Sequence, residues 1–228
     1  MVKLVKIERE DTELTKQAVI SLEKQKSLKD GTHNTPEVNA ALQEIFHGKC
    51  YICENQEPSS YQIDHFEPYK NDKDLKFKWS NLFLACAHCN NIKGDRYYPI
   101  LDCTKVDIDE FIKFRTNSNI IISEELEIKA VDDSVETKNT CELLNEVYYG
   151  STPQKKAEAN LLRRRLINDL IQFGTYIRKY RTALGKSKTD LSKKIELELK
   201  NTSEFTAFKR WIIKDNPKIC ADFIDCWK

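Results

Sequence analysis

Two short cysteine motifs constrain the fold of this chain more than any other feature of its sequence. Cys50-Tyr-Ile-Cys53 and Cys86-Ala-His-Cys89 both have the spacing C-x-x-C, and 32 residues, 54–85, separate the two motifs. A tight turn brings the two sulfurs of such a pair close enough to bind one tetrahedral ion, and two pairs complete a site with no open position. We therefore predict one structural zinc ion, held by Cys50, Cys53, Cys86 and Cys89, whose binding free energy contributes to folding.

The chain has eight cysteines, and the other four lack this spacing. They are best interpreted as small buried apolar residues. His88 lies inside the second pair and is an alternative ligand, although four cysteines already make a complete set. The opposite interpretation, four unconnected buried cysteines, would need two C-x-x-C pairs to arise by chance. The cysteines outside the pairs are Cys103, Cys141, Cys220 and Cys226.

The composition is that of a soluble globular protein, with 40% hydrophobic and 32% charged residues in a chain of 228. Because the net charge is only +1, a nucleic-acid site would have to be a local basic patch. No apolar run approaches the roughly 18 residues that a membrane span needs. The charged N-terminus does not resemble a signal peptide. We expect a cytoplasmic protein with reduced thiols, which favours a metal site over disulfides.

The helical pattern is clearest before the first cysteine pair. Asp11 is a candidate N-cap for a helix over residues 11–28. Thr35, followed by Pro36, is the predicted cap of a second helix, which ends at Gly48.

The last third of the chain is predicted to be entirely helical and rich in basic residues. Residues 151–200 contain thirteen Lys or Arg against five Asp or Glu. A hairpin is predicted over residues 119–129. Further apolar stripes indicate helices around Phe205 and before Trp227. One long helix is marked by apolar residues at helical spacing, namely Leu162, Leu166, Leu170, Phe173, Ile177 and Tyr180.

The segment between the cysteine pairs carries the residues best suited to chemistry. Tyr61, Ile63 and His65 alternate as in a strand, and the apolar run that leads into Cys86 predicts a second strand. A short helix follows the second cysteine pair and ends at Gly94. The predicted order is strand, loop, strand, helix.

In this order, Asp64-His65, Asn81 and Asn90 resemble the three motif blocks of the HNH, or ββα-metal, nuclease family. The four-cysteine version of that family has one C-x-x-C before the first strand and one at the start of the helix, as here. The usual third residue is His, so the chain, with Asn90, resembles the HNN subset. An amide oxygen can also bind a hard cation.

The resemblance implies a role for each residue in phosphodiester cleavage. His65 would be the general base, since its ordinary pKa suits proton transfer near neutral pH. Asp64 and Asn90 would bind a catalytic divalent ion, Mg²⁺ or Mn²⁺, that polarises the scissile phosphate. Asn81 would orient His65. Each of these residues also has an ordinary structural interpretation, and only their combined order favours catalysis.

Four basic residues are candidates for binding nucleic acid. Lys93 would contact a phosphate, and the alternative is a solvated lysine at a helix end. The run Arg163, Arg164 and Arg165 would bind the backbone, and the alternative is a solvated helix face.

A longer stretch, residues 35–100, resembles a narrower group. The sequences CYICE, IDHFEP and KWSNLFLACAHCNNIKG are similar to PtuB-like HNH proteins of Septu-type and retron-associated anti-phage systems. That resemblance implies a companion ATPase encoded nearby. The chain contains no P-loop, so ATP use would have to come from such a partner.

The sequence thus predicts an α+β fold in which a small ββα-metal core is embedded in helices. The expected function is metal-dependent hydrolysis of DNA or RNA by an HNH endonuclease, the nuclease subunit of an anti-phage complex. The alternative is a non-catalytic zinc-stapled module that binds nucleic acid or docks a partner. The predicted segments are 1–48 (N-terminal helices), 49–100 (nuclease core), 101–150 (hairpin and helix connector) and 151–228 (basic helical layer).

Overall fold

The computed structural model describes residues 2–3, 12–116 and 124–226 and has an α+β architecture. In these ranges two small antiparallel sheets of two strands lie among helices. Most buried apolar side chains form one core, and the C-terminal helices enclose a second cluster. None of the described helices combines the length and the apolar composition that a bilayer crossing requires. The predicted α+β class with a mainly helical composition is confirmed.

Two helices form an N-terminal layer, α1 (Glu13–Ser27) and α2 (Pro36–Ile45), and they pack against each other. Thr12 caps α1, because its hydroxyl accepts a hydrogen bond from the backbone N–H of Thr15 at 3.1 Å. Asp11, the predicted cap, lies outside the described residues. Thr35 caps α2 as predicted.

The nuclease-like segment is a hairpin followed by a helix. Strands β1 (Tyr61–His65) and β2 (Leu82–Cys86) pair antiparallel, so that the first residue of each strand lies opposite the last residue of the other. Every residue of β2 is buried, which agrees with its continuous apolar sequence. Helix α3 (Lys73–Lys76) and a 3₁₀ turn (Trp79–Asn81) lie in the connection between the strands.

Helix α4 (Ala87–Lys93) begins where β2 ends. The Cys86 thiol is its N-cap and accepts a hydrogen bond from the backbone N–H of Cys89 at 3.4 Å. Gly94 ends the helix with a φ of 45°, a conformation that glycine adopts without steric cost. The predicted order of strand, loop, strand and helix is therefore confirmed.

The second sheet differs in position from the predicted hairpin. It follows helix α5 (Ile108–Phe111) and pairs β3 (Ile112–Thr116) with β4 (Leu126–Ala130). The second strand coincides with the end of the predicted 119–129 segment, whereas the first strand lies before it. Residues 117–123 lie outside the described residues.

The C-terminal part of the described chain is helical, as predicted. All six apolar residues of the predicted stripe are buried. Phe205, which was expected on a helix, instead precedes one with a left-handed backbone (φ 49°). Trp227 lies outside the described residues. The helices are α6 (Val135–Tyr149), α7 (Pro153–Tyr180), α8 (Gly185–Glu198), α9 (Thr206–Lys214) and α10 (Pro217–Phe223), followed by a 3₁₀ turn (Ile224–Cys226).

Candidate active site

The two C-x-x-C motifs bring four buried thiols together at one end of the hairpin. All four sulfur atoms lie within 4.8 Å of one another, and the two segments are joined by a hydrogen bond from Tyr51 N–H to the Leu84 carbonyl at 2.9 Å. Four thiols in a closed cluster are the donor set of a structural metal site. The cluster consists of Cys50, Cys53, Cys86 and Cys89.

Burial and hydrogen bonds shift the pKa values of Cys50, Cys53 and Cys89. Burial raises the pKa values of Cys53 and Cys89 well above the ordinary range for a thiol. Although burial opposes it, hydrogen bonds from the other three thiols lower the pKa of Cys50. Cys53 and Cys89 therefore need a bound cation to ionise near neutral pH.

His88, the alternative ligand, faces away from the sulfur cluster. Its Nδ1 lies 2.7 Å from a carboxylate oxygen of Glu158, and its Nε2 lies 2.8 Å from the Val147 carbonyl. Both ring nitrogens are thus engaged by helices α6 and α7. The ligand set that the geometry supports is four cysteines.

His65, at the end of β1, is half-buried and has a defined tautomer. Its Nε2 lies 2.9 Å from the carbonyl oxygen of Lys76. A carbonyl can only accept, so Nε2 carries the proton and the neutral ring presents a lone pair at Nδ1. Burial lowers the pKa of His65, against the opposing effect of this hydrogen bond. The imidazole is therefore neutral at neutral pH and suited to accept a proton.

Two other rings hold the imidazole of His65 in place. His33, from the loop between α1 and α2, packs edge-on with its ring centroid 4.5 Å away, and Tyr69 packs at 4.5 Å. Burial, followed by the charges of His65 and Lys76, lowers the pKa of His33 to about 4. His33 is thus neutral beside a neutral His65.

Asn81 fixes the backbone on both sides of the imidazole. Its Oδ1 accepts from the Glu67 N–H at 2.8 Å, and its Nδ2 donates to the carbonyls of Glu67 at 2.9 Å and Leu75 at 3.3 Å. Leu75 directly precedes Lys76, whose carbonyl bonds His65. Asn81 therefore positions both the strand end that carries His65 and the segment whose Lys76 carbonyl accepts the hydrogen bond from the imidazole.

Asp64 is buried beside His65 on the opposite face of β1. Its carboxylate accepts a hydrogen bond from the Tyr51 hydroxyl at 2.6 Å and forms an ion pair with the Lys93 ammonium at 3.1 Å. Burial raises the pKa of Asp64, while Lys93 and Tyr51 act in the opposite direction.

Lys93 points into the protein rather than toward solvent. Lys93 is only 1% exposed, and its ammonium also donates to the backbone carbonyl of His65 at 2.8 Å. In this arrangement the predicted phosphate contact is out of its reach. The ammonium instead neutralises Asp64.

Asn90 lies one helical turn before Lys93 on the same face of α4. Its Nδ2 donates to the side-chain oxygen of Gln62 at 2.7 Å, and Gln62 shares a face of β1 with Asp64. The helix face with Asn90 and Lys93 therefore lies over the strand face with Gln62 and Asp64. The side-chain oxygens of Asp64 and Asn90 are donors of the type that Mg²⁺ and Mn²⁺ prefer, so these residues fit a hard divalent ion in kind.

Residues 50–96 match the family model for HNH endonucleases. Over this segment the chain is similar to HNH endonucleases. The matched range contains the four cysteines and all of the predicted catalytic residues: Asp64, His65, Asn81 and Asn90.

One curated relative supports the same assignment over a similar length. The Septu protein PtuB of Bacillus thuringiensis is 32% identical over 75 residues, which covers 30% of this chain and 29% of the relative. The chain therefore matches less than a third of that protein's length. No solved structure matches the chain significantly.

The arginine run, which lies outside the matched segment, is largely engaged within the protein. Arg163 donates to the Tyr148 carbonyl and to the side chain of Asn160. Arg165 makes ion pairs with Glu57 at 2.8 Å and with Glu204 at 3.1 Å.

Arg164 is the most exposed member of the run, with a side chain that is 67% exposed and 3.6 Å from Glu124. Of the four residues predicted to contact nucleic acid, only Arg164 presents most of its side chain to solvent.

Sequence reasoning missed two residues that contact the site although they are distant from it in sequence. Tyr51 lies within the first cysteine motif, where its spacing suggested only a turn. His33 precedes His65 by 32 positions (65 − 33) and has no motif of its own. Only packing brings these side chains to Asp64 and His65.

Proposed function

We propose that this protein is a metal-dependent HNH endonuclease that hydrolyses phosphodiester bonds of nucleic acid. The observation that carries the proposal is the imidazole of His65, which is neutral and fixed by the Lys76 carbonyl with its Nδ1 free. It lies in a segment that matches the HNH family. A general base needs a lone pair, a fixed orientation and a pKa that leaves the ring unprotonated at the operating pH.

In the proposed reaction, Nδ1 of His65 accepts a proton from the water that attacks phosphorus. The packing of His33 and Tyr69 restricts the ring, so little orientational entropy is lost at the moment of proton transfer. Asn81 holds the backbone segments on both sides of the ring in place through its hydrogen bonds to Glu67 and Leu75. A divalent ion, Mg²⁺ or Mn²⁺, held by Asp64 and Asn90 would supply charge neutralisation at the phosphate.

The four-cysteine cluster is proposed to hold one structural zinc ion. Thiolates are soft ligands that favour zinc over Mg²⁺, and a closed set of four leaves no position for substrate. The zinc would therefore stabilise the hairpin and take no part in the chemistry.

The biological role we propose is that of a nuclease subunit in an anti-phage defence complex of the Septu or retron type. The similarity to Septu protein PtuB over the HNH segment supports this role. A companion ATPase would then bind and gate the nuclease.

A non-catalytic module that binds nucleic acid or docks a partner is the alternative. The engaged state of Arg163 and Arg165 weakens the basic surface that such a module would need. The ordered surroundings of His65 favour an enzyme.

The decisive experiment is cleavage of plasmid DNA and cellular RNA in the presence of Mg²⁺. Wild type and His65→Ala are compared, each alone and each co-purified with the product of an adjacent ATPase gene. His88→Gln is the matched control, because His88 is also a hydrogen-bonded histidine of the HNH domain but lies away from His65.

Cleavage by wild type and His88→Gln, with none by His65→Ala, would support the proposal, and the degraded pool would identify the substrate. Equal behaviour of all three proteins, folded and with zinc bound, would contradict it and favour the binding module.

A further inference from the structure

A buried lysine occupies the position against Asp64 that a catalytic cation would take. The Lys93 ammonium lies 3.2 Å from Oδ1 and 3.1 Å from Oδ2 of Asp64, so it bridges both carboxylate oxygens. Both side chains are almost fully buried, at 1% and 6% exposure. A lysine is rarely buried without such a partner, and here the partner is a predicted metal ligand.

Asp64 has a second buried partner in addition to Lys93. Oδ2 accepts a hydrogen bond from the Tyr51 hydroxyl, and the Lys93 ammonium has the His65 carbonyl as a further acceptor. The carboxylate is thus already neutralised and bonded by the protein itself. A divalent ion that approached Asp64 would meet a positive charge in direct contact with its ligand, and at low dielectric this repulsion is strong.

We propose that Lys93 is a resident counter-ion of Asp64 and that a divalent ion binds Asp64 only by displacing its ammonium. This inference rests on the proposed function in one respect, namely that Asp64 is a ligand of the catalytic ion. The consequence is a domain that folds with its acidic ligand already compensated. The same ammonium then sets the concentration of divalent ion at which the site becomes occupied.

The first test measures Mn²⁺ binding by the disappearance of the free-ion signal in electron paramagnetic resonance. Lys93→Met removes the competing charge and keeps much of the side-chain volume. We expect it to raise the Asp64-dependent affinity for Mn²⁺ by at least about tenfold, since one opposing unit charge is lost at contact distance. Lys93→Arg retains the charge and should bind Mn²⁺ no more tightly than wild type.

The Asp64→Asn substitution in each background identifies the signal that comes from this site. Zinc content and melting temperature show whether each variant is folded. These controls separate binding at Asp64 from binding at surface carboxylates.

Lys93→Met leaves a buried carboxylate without its counter-ion and can prevent folding. A second test therefore uses the wild-type protein. The reactivity of the Lys93 amine toward an acylating reagent is read by peptide mass spectrometry, with and without Mg²⁺. Displacement predicts that Mg²⁺ increases acylation of Lys93. Lys209 is the control, since it is fully buried between Asp169 at 2.9 Å and Glu198 at 2.5 Å and should not respond.

The outcomes separate the inference from the proposed function. Tighter Mn²⁺ binding by Lys93→Met, abolished by Asp64→Asn, supports displacement. Equal Asp64-dependent affinity in wild type and Lys93→Met, or acylation that Mg²⁺ leaves unchanged, overturns it while Asp64 remains a metal ligand. Mn²⁺ binding that never depends on Asp64 overturns both the inference and the proposed metal site.

Discussion

The Nε2 atom of His65 donates to the backbone carbonyl of Lys76 over 2.9 Å. The side chain of Lys76 in turn donates to the Gly31 carbonyl at 3.0 Å, and that of Lys73 donates to the Leu28 carbonyl at 3.2 Å. The short helix α3 is thereby tied to the loop that follows α1. The tautomer of His65 consequently depends on the N-terminal helical layer, which lies outside the matched HNH segment.

Substitution of His65 by alanine should abolish cleavage and leave the fold intact. The ring is half-buried and contributes packing with His33 and Tyr69, but its removal leaves no buried charge unpaired. We expect a loss of at least about a hundredfold in cleavage rate, the usual contribution of a general base. Circular dichroism and melting temperature check the fold. A folded variant with undiminished cleavage would exclude His65 as the base.

Asn81→Ala should reduce both stability and activity. The substitution leaves the Glu67 N–H and the Glu67 carbonyl without their side-chain partner, which costs about 1–3 kcal/mol in the free energy of unfolding, whereas the Leu75 carbonyl keeps a hydrogen bond from the Lys78 N–H. Cleavage should fall because the segments that hold His65 lose their connection. Asn81→Asp keeps the acceptor but turns a buried carboxylate toward two carbonyl oxygens, so urea titration should rank it no more stable than alanine. Wild-type stability in both variants would contradict this role.

The stability of the protein should fall on acidification in a way that depends on His33. Its pKa is lowered from 6.5 to about 4, so the unfolded state binds a proton before the folded state does. The neutral ring costs nothing above pH 6.5, and stability is lost progressively as the pH falls from 6.5 to about 4. His33→Gln removes this titration.

Melting temperatures across that pH range provide the measurement. The slope should be smaller for His33→Gln than for wild type, and an identical slope would show that His33 is not the group responsible.

Loss of a cluster cysteine should destabilise the whole chain. Cys50→Ser or Cys86→Ser removes one of four thiols and with it the metal binding free energy, which is of the order of 10 kcal/mol for structural zinc sites. We expect poor folding or a strongly lowered melting temperature, and a chelator should have the same effect on wild type. Cys220→Ser, outside the cluster, is the matched control and should retain both zinc and stability. An unchanged melting temperature in chelator would exclude a structural metal.

The cysteine cluster and the ββα order were predictable because both depend on local spacing. A C-x-x-C turn brings its sulfurs together wherever it occurs, and the alternation from Tyr61 to His65 indicates a strand independently of its partner. The cap at Thr35 was predictable for the same reason, since its partner lies three residues away.

The surroundings of the site were not predictable, because they depend on contacts between distant segments. The charge pattern of Arg163 and Arg165 suggested a phosphate-binding face, but acceptors elsewhere in the fold engage both residues. Lys93 was predicted to contact a phosphate, with a solvated lysine at a helix end as the alternative, and only the packing of α4 over β1 places its ammonium on Asp64. The strand at Ile112–Thr116 was missed because the stronger β pattern of the sequence, Ile120–Ile122, comes after it.

The first residue of β1 lies opposite Cys86, so the sulfur cluster holds the end of the hairpin remote from His65. A slip of one residue would exchange the faces on which Asp64 and His65 lie, and the cluster prevents that slip. Loss of a metal from the thiols would release this restraint without touching Asp64 or His65. The cleavage proposed for this segment would thereby depend on a cluster that takes no part in the chemistry.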